Sequence, residues 1–158
     1  MFAGAGLSRV GGDEGSLGTG PGLVAGLGYR FPANSSVELQ LMRARHERRI
    51  AGGPLEGTAT GVIGSLAYRF ADTRTQPFVM GLVGLLRSRT THTYPVSGGT
   101  ITTFRTDDTR VAWGGGGGVR MFLTPRFSVR PQFHMVFSEA TGVLGLAVAS
   151  VALSYHCC

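Results

Sequence analysis

Three residues near the end of the chain, His134, Ser138 and Glu139, are of the types that carry out ester hydrolysis. Histidine can act as the base, serine as the nucleophile, and a carboxylate as the group that orients the histidine. His134 and Ser138 are four residues apart in an extended segment, which separates same-face side chains by about 13 Å, too far for a hydrogen bond. We therefore predict no catalytic site here, and we expect His134 to belong to a polar network.

A second candidate for chemistry is a cluster of arginines. All 15 cationic residues of the chain are arginine, and the formal net charge is +6. Arginine binds phosphate and carboxylate groups through two parallel hydrogen bonds. The cluster could therefore meet phosphates of a lipid or of a nucleic acid, although it lacks the interspersed aromatic residues that stack on bases. Alternatively, the cluster is a solvated strand end that binds nothing. The cluster consists of Arg43, Arg45, Arg48 and Arg49.

The remaining motifs indicate neither a metal nor a cofactor. The run Gly114–Gly118 is followed by Val119 and Arg120, where a phosphate-binding loop requires Gly-Lys-Ser/Thr. The two cysteines, Cys157 and Cys158, are adjacent and could bind a metal, join two chains or do neither. A disulfide between neighbours is strained and free thiols seldom persist in an oxidising periplasm, so an intermolecular disulfide or a covalent modification is the favoured active role.

Length and composition exclude several classes of protein. The chain has 158 residues, which suits one domain with a real core, and we predict a single domain over 1–158. Its 26 glycines argue against a helical bundle, and its hydrophobic content of 42% is too high for a disordered chain. No apolar run approaches the ~18 to 20 residues that a membrane-spanning helix needs.

The elements that must position these residues are strands, because apolar and polar side chains alternate along most of the chain. Two further strands are expected at 2–10 and from 76 to about 89, which brings the number to eight. The segment 76–89 is almost continuously apolar, so its face assignment stays open. The six segments with clear alternation are 23–31, 37–41, 62–70, 111–121, 127–135 and 149–156.

The predicted connections alternate between short turns and longer loops, which is typical of an up-and-down antiparallel barrel with one tight rim. The short turns are expected at 32–35, 71–75 and 124–125, and the loops at 11–21, 46–57, 88–108 and 138–142.

The two faces of the strands differ in a way that predicts which one lies inside. The face opposite the apolar one carries Gly and Ala as often as charge, which makes a poor solvent surface, and an eight-stranded barrel is just wide enough to be filled by side chains. We therefore predict a lipid-facing apolar exterior with an aromatic girdle, formed by Tyr29, Phe31, Tyr68, Phe70, Phe127 and Tyr155. The predicted interior polar network, with Glu38 as counter-charge, comprises Arg30, Glu38, Gln40, Arg69, Arg120, Arg130, Gln132 and His134.

Several motifs together resemble a known family. They are the strand ends Leu27-Gly28-Tyr29-Arg30-Phe31 and Leu66-Ala67-Tyr68-Arg69-Phe70, the stretch 113–120 followed by Thr124-Pro125-Arg126, and the closing segment 151–156. In these the chain resembles the small eight-stranded outer-membrane β-barrels of Gram-negative bacteria, of the outer-membrane protein A-like type. The family usually ends in an aromatic residue, where this chain has Cys157.

The resemblance implies an all-β, eight-stranded antiparallel up-and-down transmembrane β-barrel in the bacterial outer membrane, with the signal peptide already removed from this chain. It implies a non-enzymatic scaffold that presents extracellular loops for adhesion, envelope stability or self-association. Its partners would be membrane lipid and lipopolysaccharide, the latter bound through the four clustered arginines, with no cofactor and no nucleic acid. Two alternatives stay open: a lipid A-modifying hydrolase and a soluble, lipocalin-like binder of apolar ligands.

Overall fold

Eight antiparallel strands close into a barrel in sequence order, with the first strand paired to the last. The computed structural model describes residues 1–12, 15–32, 34–50, 53–96, 100–140 and 142–157. Within these ranges, no helix has the length and apolar character needed to cross a membrane. The predicted up-and-down topology is confirmed. The strands are β1 (Phe2–Gly12), β2 (Gly15–Arg30), β3 (Ser35–Ile50), β4 (Gly53–Arg69), β5 (Thr75–Val96), β6 (Thr100–Phe122), β7 (Phe127–Ala140) and β8 (Gly142–Tyr155).

The turns at one rim are short, as predicted, but the connections at the other rim are not open loops. The segments predicted as loops, 11–21, 46–57, 88–108 and 138–142, are mostly strand. In the longest of them, β5 and β6 stay paired from Ser88 opposite Asp108 to Val96 opposite Thr100. Paired strands satisfy each other's backbone groups, so the ladder can continue past the apolar region, and the many threonines here favour strand. The loop prediction was wrong, and the structure has long hairpins there.

The apolar face of the strands points outward. Leu66 is 60% exposed and Tyr68 is 50% exposed, whereas the intervening side of the same strand is buried at Ala67 and Arg69. The girdle residues form edge-on or tilted ring pairs at the short-turn rim: Tyr29 with Phe31, Tyr68 with Phe70, and Phe127 with Tyr155. The predicted orientation of the faces is confirmed, because a soluble barrel would bury these rings.

The lumen is polar toward the short-turn rim and apolar toward the hairpins. Along β3 the buried side chains change from Glu38 and Gln40 to Met42 and Ala44, and along β7 from Arg130 to Val136. The faces of β5 were left open by the sequence, and between Phe78 and Leu86 this strand is apolar on both sides. The sequence analysis missed this apolar layer, which includes Val10, Val24, Met42, Ala44, Leu82, Leu86, Val136, Leu146 and Val148.

Candidate functional site

A buried carboxylate, Glu38 on β3, organises the polar half of the lumen. Nη1 of Arg130 donates to both oxygens of Glu38 at 2.8 Å, and Nη2 of Arg120 donates to Oε1 at 3.3 Å. Nε2 of Gln40 donates to Oε2 at 3.3 Å and to Oγ of Ser65 at 3.0 Å. Glu38 is 3% exposed and Arg130 is fully buried. One largely buried negative charge therefore faces two arginines.

The guanidinium of Arg130 also lies between two aromatic rings of the lumen. Its Cζ is 4.9 Å from the ring centre of Phe2 and 4.4 Å from that of Phe78. Cation–π contacts of this kind stabilise a desolvated cation beyond what its ion pair provides. Neither phenylalanine was predicted as part of the network. Phe78 belongs to the continuous apolar segment, where alternation is not visible.

The structure divides the remaining predicted network residues into separate groups. Arg30 is exposed at the mouth of the lumen and donates to Oε1 of Gln76 at 2.8 Å, and Gln76 donates in turn to Asp72 at 3.2 Å. Arg69 is buried and lies 3.6 Å from the same Asp72. Further up the lumen, a separate hydrogen bond joins Nε2 of Gln132 to Oγ of Ser150, and His134 is fully buried without a hydrogen-bond partner among the described residues.

Of the residues considered for hydrolysis, His134 makes no hydrogen bond to Ser138 or to another described residue. His134 and Ser138 both lie buried on the lumen face of β7, on the side of the wall away from lipid. The side chain of Glu139 lies outside the described residues. Over the described part of the chain, no cluster of His, Cys, Asp and Glu could hold a metal ion. Cys157 is free and exposed, and Cys158 lies outside the described residues, so the intermolecular disulfide stays a prediction.

Strand alternation places the described arginines of the cluster on the outer face of the barrel. Arg43 and Arg45 are exposed on the outside of β3, directly after the apolar residue Leu41, while His46 is buried in the lumen. The side chains of Arg48 and Arg49 lie outside the described residues. Cross-strand register adds two arginines that the sequence analysis missed. Arg43, Thr60 and Arg87 form one row, and Arg45, Thr58 and Arg89 form the next. We call these the arginine rows.

Ion pairs connect β5 and β6 at the base of their hairpin, just outside the apolar band. Asp107 accepts from Nε and Nη2 of Arg87 at 2.7 and 2.6 Å and from Nη2 of Arg89 at 3.0 Å. The hydrogen bonds from Arg87 and Arg89 hold the pKa of the Asp107 carboxyl well below its usual range. Asp107 is therefore ionised throughout the physiological pH range.

A family model described as an outer membrane protein beta-barrel domain matches residues 2–135, which is most of the chain. The chain belongs to this family. The outer-membrane barrel matches no curated protein significantly. Its membership places it in the bacterial outer membrane and contradicts the soluble, lipocalin-like alternative, because the exposed apolar face requires hydrocarbon.

Solved structures similar to this outer-membrane barrel come from three bacterial groups. Neisserial surface protein A has a TM-score of 0.72 at 16% identity, over 98% of this chain and 95% of that one. The attachment invasion locus protein Ail of Yersinia pestis, in complex with the heparin analogue sucrose octasulfate, has a TM-score of 0.68 at 17% identity, over 98% and 94%. The N-terminal β-barrel domain of Pseudomonas aeruginosa OprF has a TM-score of 0.51 at 16% identity, over 96% of both chains. Identities this low show a shared fold.

Proposed function

We propose that this outer-membrane barrel is a non-enzymatic scaffold that holds the β5–β6 hairpin outside the membrane as an adhesion element. The observation that carries the proposal is strand length. β5 has 22 residues and β6 has 23, whereas a strand needs only ~9 to 11 residues to cross the bilayer. The outward apolar row of β5 ends at Leu85, before the exposed Arg87. At about 3.4 Å per residue, the strand beyond Leu85 extends roughly 35 Å from the apolar band.

The charge of this hairpin favours an anionic ligand. Its described cations are Arg87, Arg89, Arg105 and Arg110, against the carboxylates of Asp107 and Asp108. The excess of arginine gives it a positive field, which attracts sulfated or phosphorylated polymers. Ail, which shares the fold, was solved with a heparin analogue. We therefore propose sulfated polysaccharide as the ligand class for adhesion.

Placement of the candidate catalytic residues supports a non-enzymatic role. Acyl chains and headgroups of the membrane lie outside the barrel wall, whereas His134 and Ser138 are 0% and 2% exposed inside it. A lipid hydrolase would need its nucleophile and base at the lipid-facing surface or at an open mouth. This placement argues against the lipid A-modifying alternative.

Shortening the hairpin tests the adhesion proposal. Ser88 and Asp108 are opposite each other in the ladder, so residues 89–107 can be replaced by Asn-Gly, which closes a two-residue turn without changing the register. Cells producing the shortened protein should lose attachment to a heparin-coated surface. The barrel itself should survive, which is checked by its faster migration on an SDS gel before boiling.

The matched control shortens a neighbouring hairpin. His46 and Gly57 are also register partners, and residues 47–56 can be replaced by the same Asn-Gly turn. Cells with this variant should attach to heparin like cells with the unaltered protein. Equal attachment by the variant lacking 89–107, or no attachment by the full chain above empty cells, would contradict the proposed function.

We also propose lipopolysaccharide phosphates as ligands of the arginine rows. The rows lie on the outer face immediately above the apolar band, at the height where the phosphates of lipid A meet the barrel surface. Among the described residues, Arg43 and Arg45 have no acidic partner, so their guanidinium groups can bind phosphate without first breaking an ion pair. Arg87 and Arg89 are already engaged by Asp107.

Thermal unfolding with and without lipopolysaccharide tests this partner. A ligand that binds only the folded state raises the melting temperature, and the increase grows with the ratio of free ligand concentration to Kd. We expect lipopolysaccharide to raise the melting temperature of the detergent-solubilised barrel, and Arg43→Gln with Arg45→Gln to remove most of the increase. Arg126→Gln, an exposed arginine at the opposite rim, should retain it. A full increase in the double variant would show that the rows do not bind the lipid.

A further inference from the structure

A cavity of about 610 Å³ opens at the short-turn rim of the barrel. Neither the hairpin nor the arginine rows use it. Short turns of outer-membrane barrels face the periplasm, so this opening is on the periplasmic side. We call it the rim cavity; its polar lining consists of Arg30, Ser36, Glu38, Arg120, Ser154 and His156.

The charges of the rim cavity are predominantly positive. Two arginines, Arg30 and Arg120, line it. Glu38 is the acidic residue of the described lining, and Arg130 contacts both of its oxygens at 2.8 Å. The hydrogen bond from Arg30 goes to the neutral amide of Gln76. Glu38 also accepts from Arg120 at 3.3 Å, so Arg120 and Arg130 share this one carboxylate. Two arginine side chains against one carboxylate leave the lining with an excess of positive charge.

His156 also lines the rim cavity, near Arg120 and Arg30. It follows β8 at the rim, and its Nε2 lies 2.8 Å from Oγ of Ser128. Burial, followed by the charges of Arg120 and Arg30, lowers the pKa of His156 to about 4. His156 is thus neutral at physiological pH. Burial, the largest cause, disfavours any charged group, and only the smaller effect of Arg120 and Arg30 also favours an anion.

Three polar atoms of the rim cavity are buried without a hydrogen-bond partner among the described residues. They are Oγ of Ser36, Oγ of Ser154 and Nε of Arg120, and Arg120 as a whole is 8% exposed. Buried polar atoms without partners are rare because each costs free energy. Two hydroxyls and a guanidinium N–H can all donate, so a ligand rich in acceptor oxygens would satisfy them together.

We propose that the rim cavity binds a small free oxyanion of the class of inorganic phosphate from the periplasm. Arg30 and Arg120 supply the charge, and the hydroxyls of Ser36 and Ser154 donate hydrogen bonds to the oxygens of the anion. The cavity lies inside the barrel wall and opens at its rim, so a dissolved anion can enter directly. A phospholipid headgroup lies outside the wall and would have to leave its leaflet to reach it.

Calorimetric titration with inorganic phosphate, in a nonionic detergent at constant ionic strength, tests the rim cavity. We expect saturable binding of one phosphate per chain. Arg30→Gln should weaken it about tenfold, the effect of losing one charge-assisted hydrogen bond. Combined Ser36→Ala and Ser154→Ala should weaken it several-fold without lowering stability to urea, because these hydroxyls have no protein partner to lose.

Arg126→Gln is the matched control, because Arg126 is exposed at the same rim but does not line the cavity. Phosphate binding should be unchanged in it. The proposal is overturned by an absence of saturable binding, or by equal weakening in Arg126→Gln and Arg30→Gln, which would indicate diffuse attraction. Displacement of the phosphate by short-chain phosphatidylglycerol would also overturn it, in favour of a lipid headgroup.

Discussion

Glu38→Leu is expected to lower the free energy of unfolding of the barrel by about 3–5 kcal/mol, since it leaves buried charges without their counter-charge. Arg130 is fully buried and Arg120 is 8% exposed, and Glu38 is the carboxylate that both contact. Urea unfolding can be followed by the fluorescence of Trp113, the one tryptophan of the chain, which is exposed on the outer face.

Two further variants separate charge burial from a general effect of leucine on β3. Glu47 is exposed on the same strand, and Glu47→Leu should change the unfolding free energy by less than about 0.5 kcal/mol. Adding Arg130→Met to Glu38→Leu should recover part of the loss, because an apolar pair of similar volume can replace a buried ion pair. A neutral Glu38→Leu would show that Glu38 is solvated.

The second large effect concerns the close approach of β6 and β7. Gly114 faces the lumen, and a Cβ added there would lie 2.0 Å from the carbonyl oxygen of Met135. Backbone cannot yield as a flexible side chain does, so the two strands must separate. Overpacking of this kind costs typically about 1–3 kcal/mol, and we expect Gly114→Ala to reach the upper end in the same urea experiment.

Gly81→Ala is the matched control for Gly114→Ala. Gly81 lies on the neighbouring β5, and a Cβ added there meets nothing within 4 Å. Because alanine restricts the unfolded chain, Gly81→Ala should be neutral or stabilise by up to about 1 kcal/mol. Equal destabilisation by both substitutions would contradict contact with the Met135 carbonyl oxygen as the cause of the effect at Gly114.

The strands of the barrel could be predicted from the sequence, but the positions at which they end could not. Alternation at 62–70 correctly placed Leu66 and Tyr68 outside and Arg69 inside. Successive side chains of a strand face hydrocarbon and lumen in turn, so each position selects an apolar or a polar residue. The segment 88–108 was predicted as a loop because its alternation weakens outside the membrane. There the strands are maintained by backbone pairing between β5 and β6, and up to His92 also by pairing of β5 with β4.

Some residues of the candidate sites could be predicted from the sequence, and others could not. Arg43 and Arg45 were visible as a cluster in sequence, but Arg87 and Arg89 join them only through pairing across β4. The rim cavity was not visible at all, since Ser36, Arg120 and Ser154 come from three different strands. No local pattern distinguishes a serine at a cavity wall from any other lumen-facing serine.

The amino-acid sequence by itself determined the number of strands, their faces and the membrane as their solvent. These follow from a period of two, which six of the strands carry on their own, whereas the faces of β5 were decided only by the structure. Closure of the barrel decided which lumen residues meet. Glu38 and Arg130 are 92 positions apart, and their contact depends on the register of every strand between them. The positions of the buried ion pairs, the rim cavity and the long hairpins therefore depend on the closed sheet. Each is set by the pairing of strands that are distant from one another in the sequence.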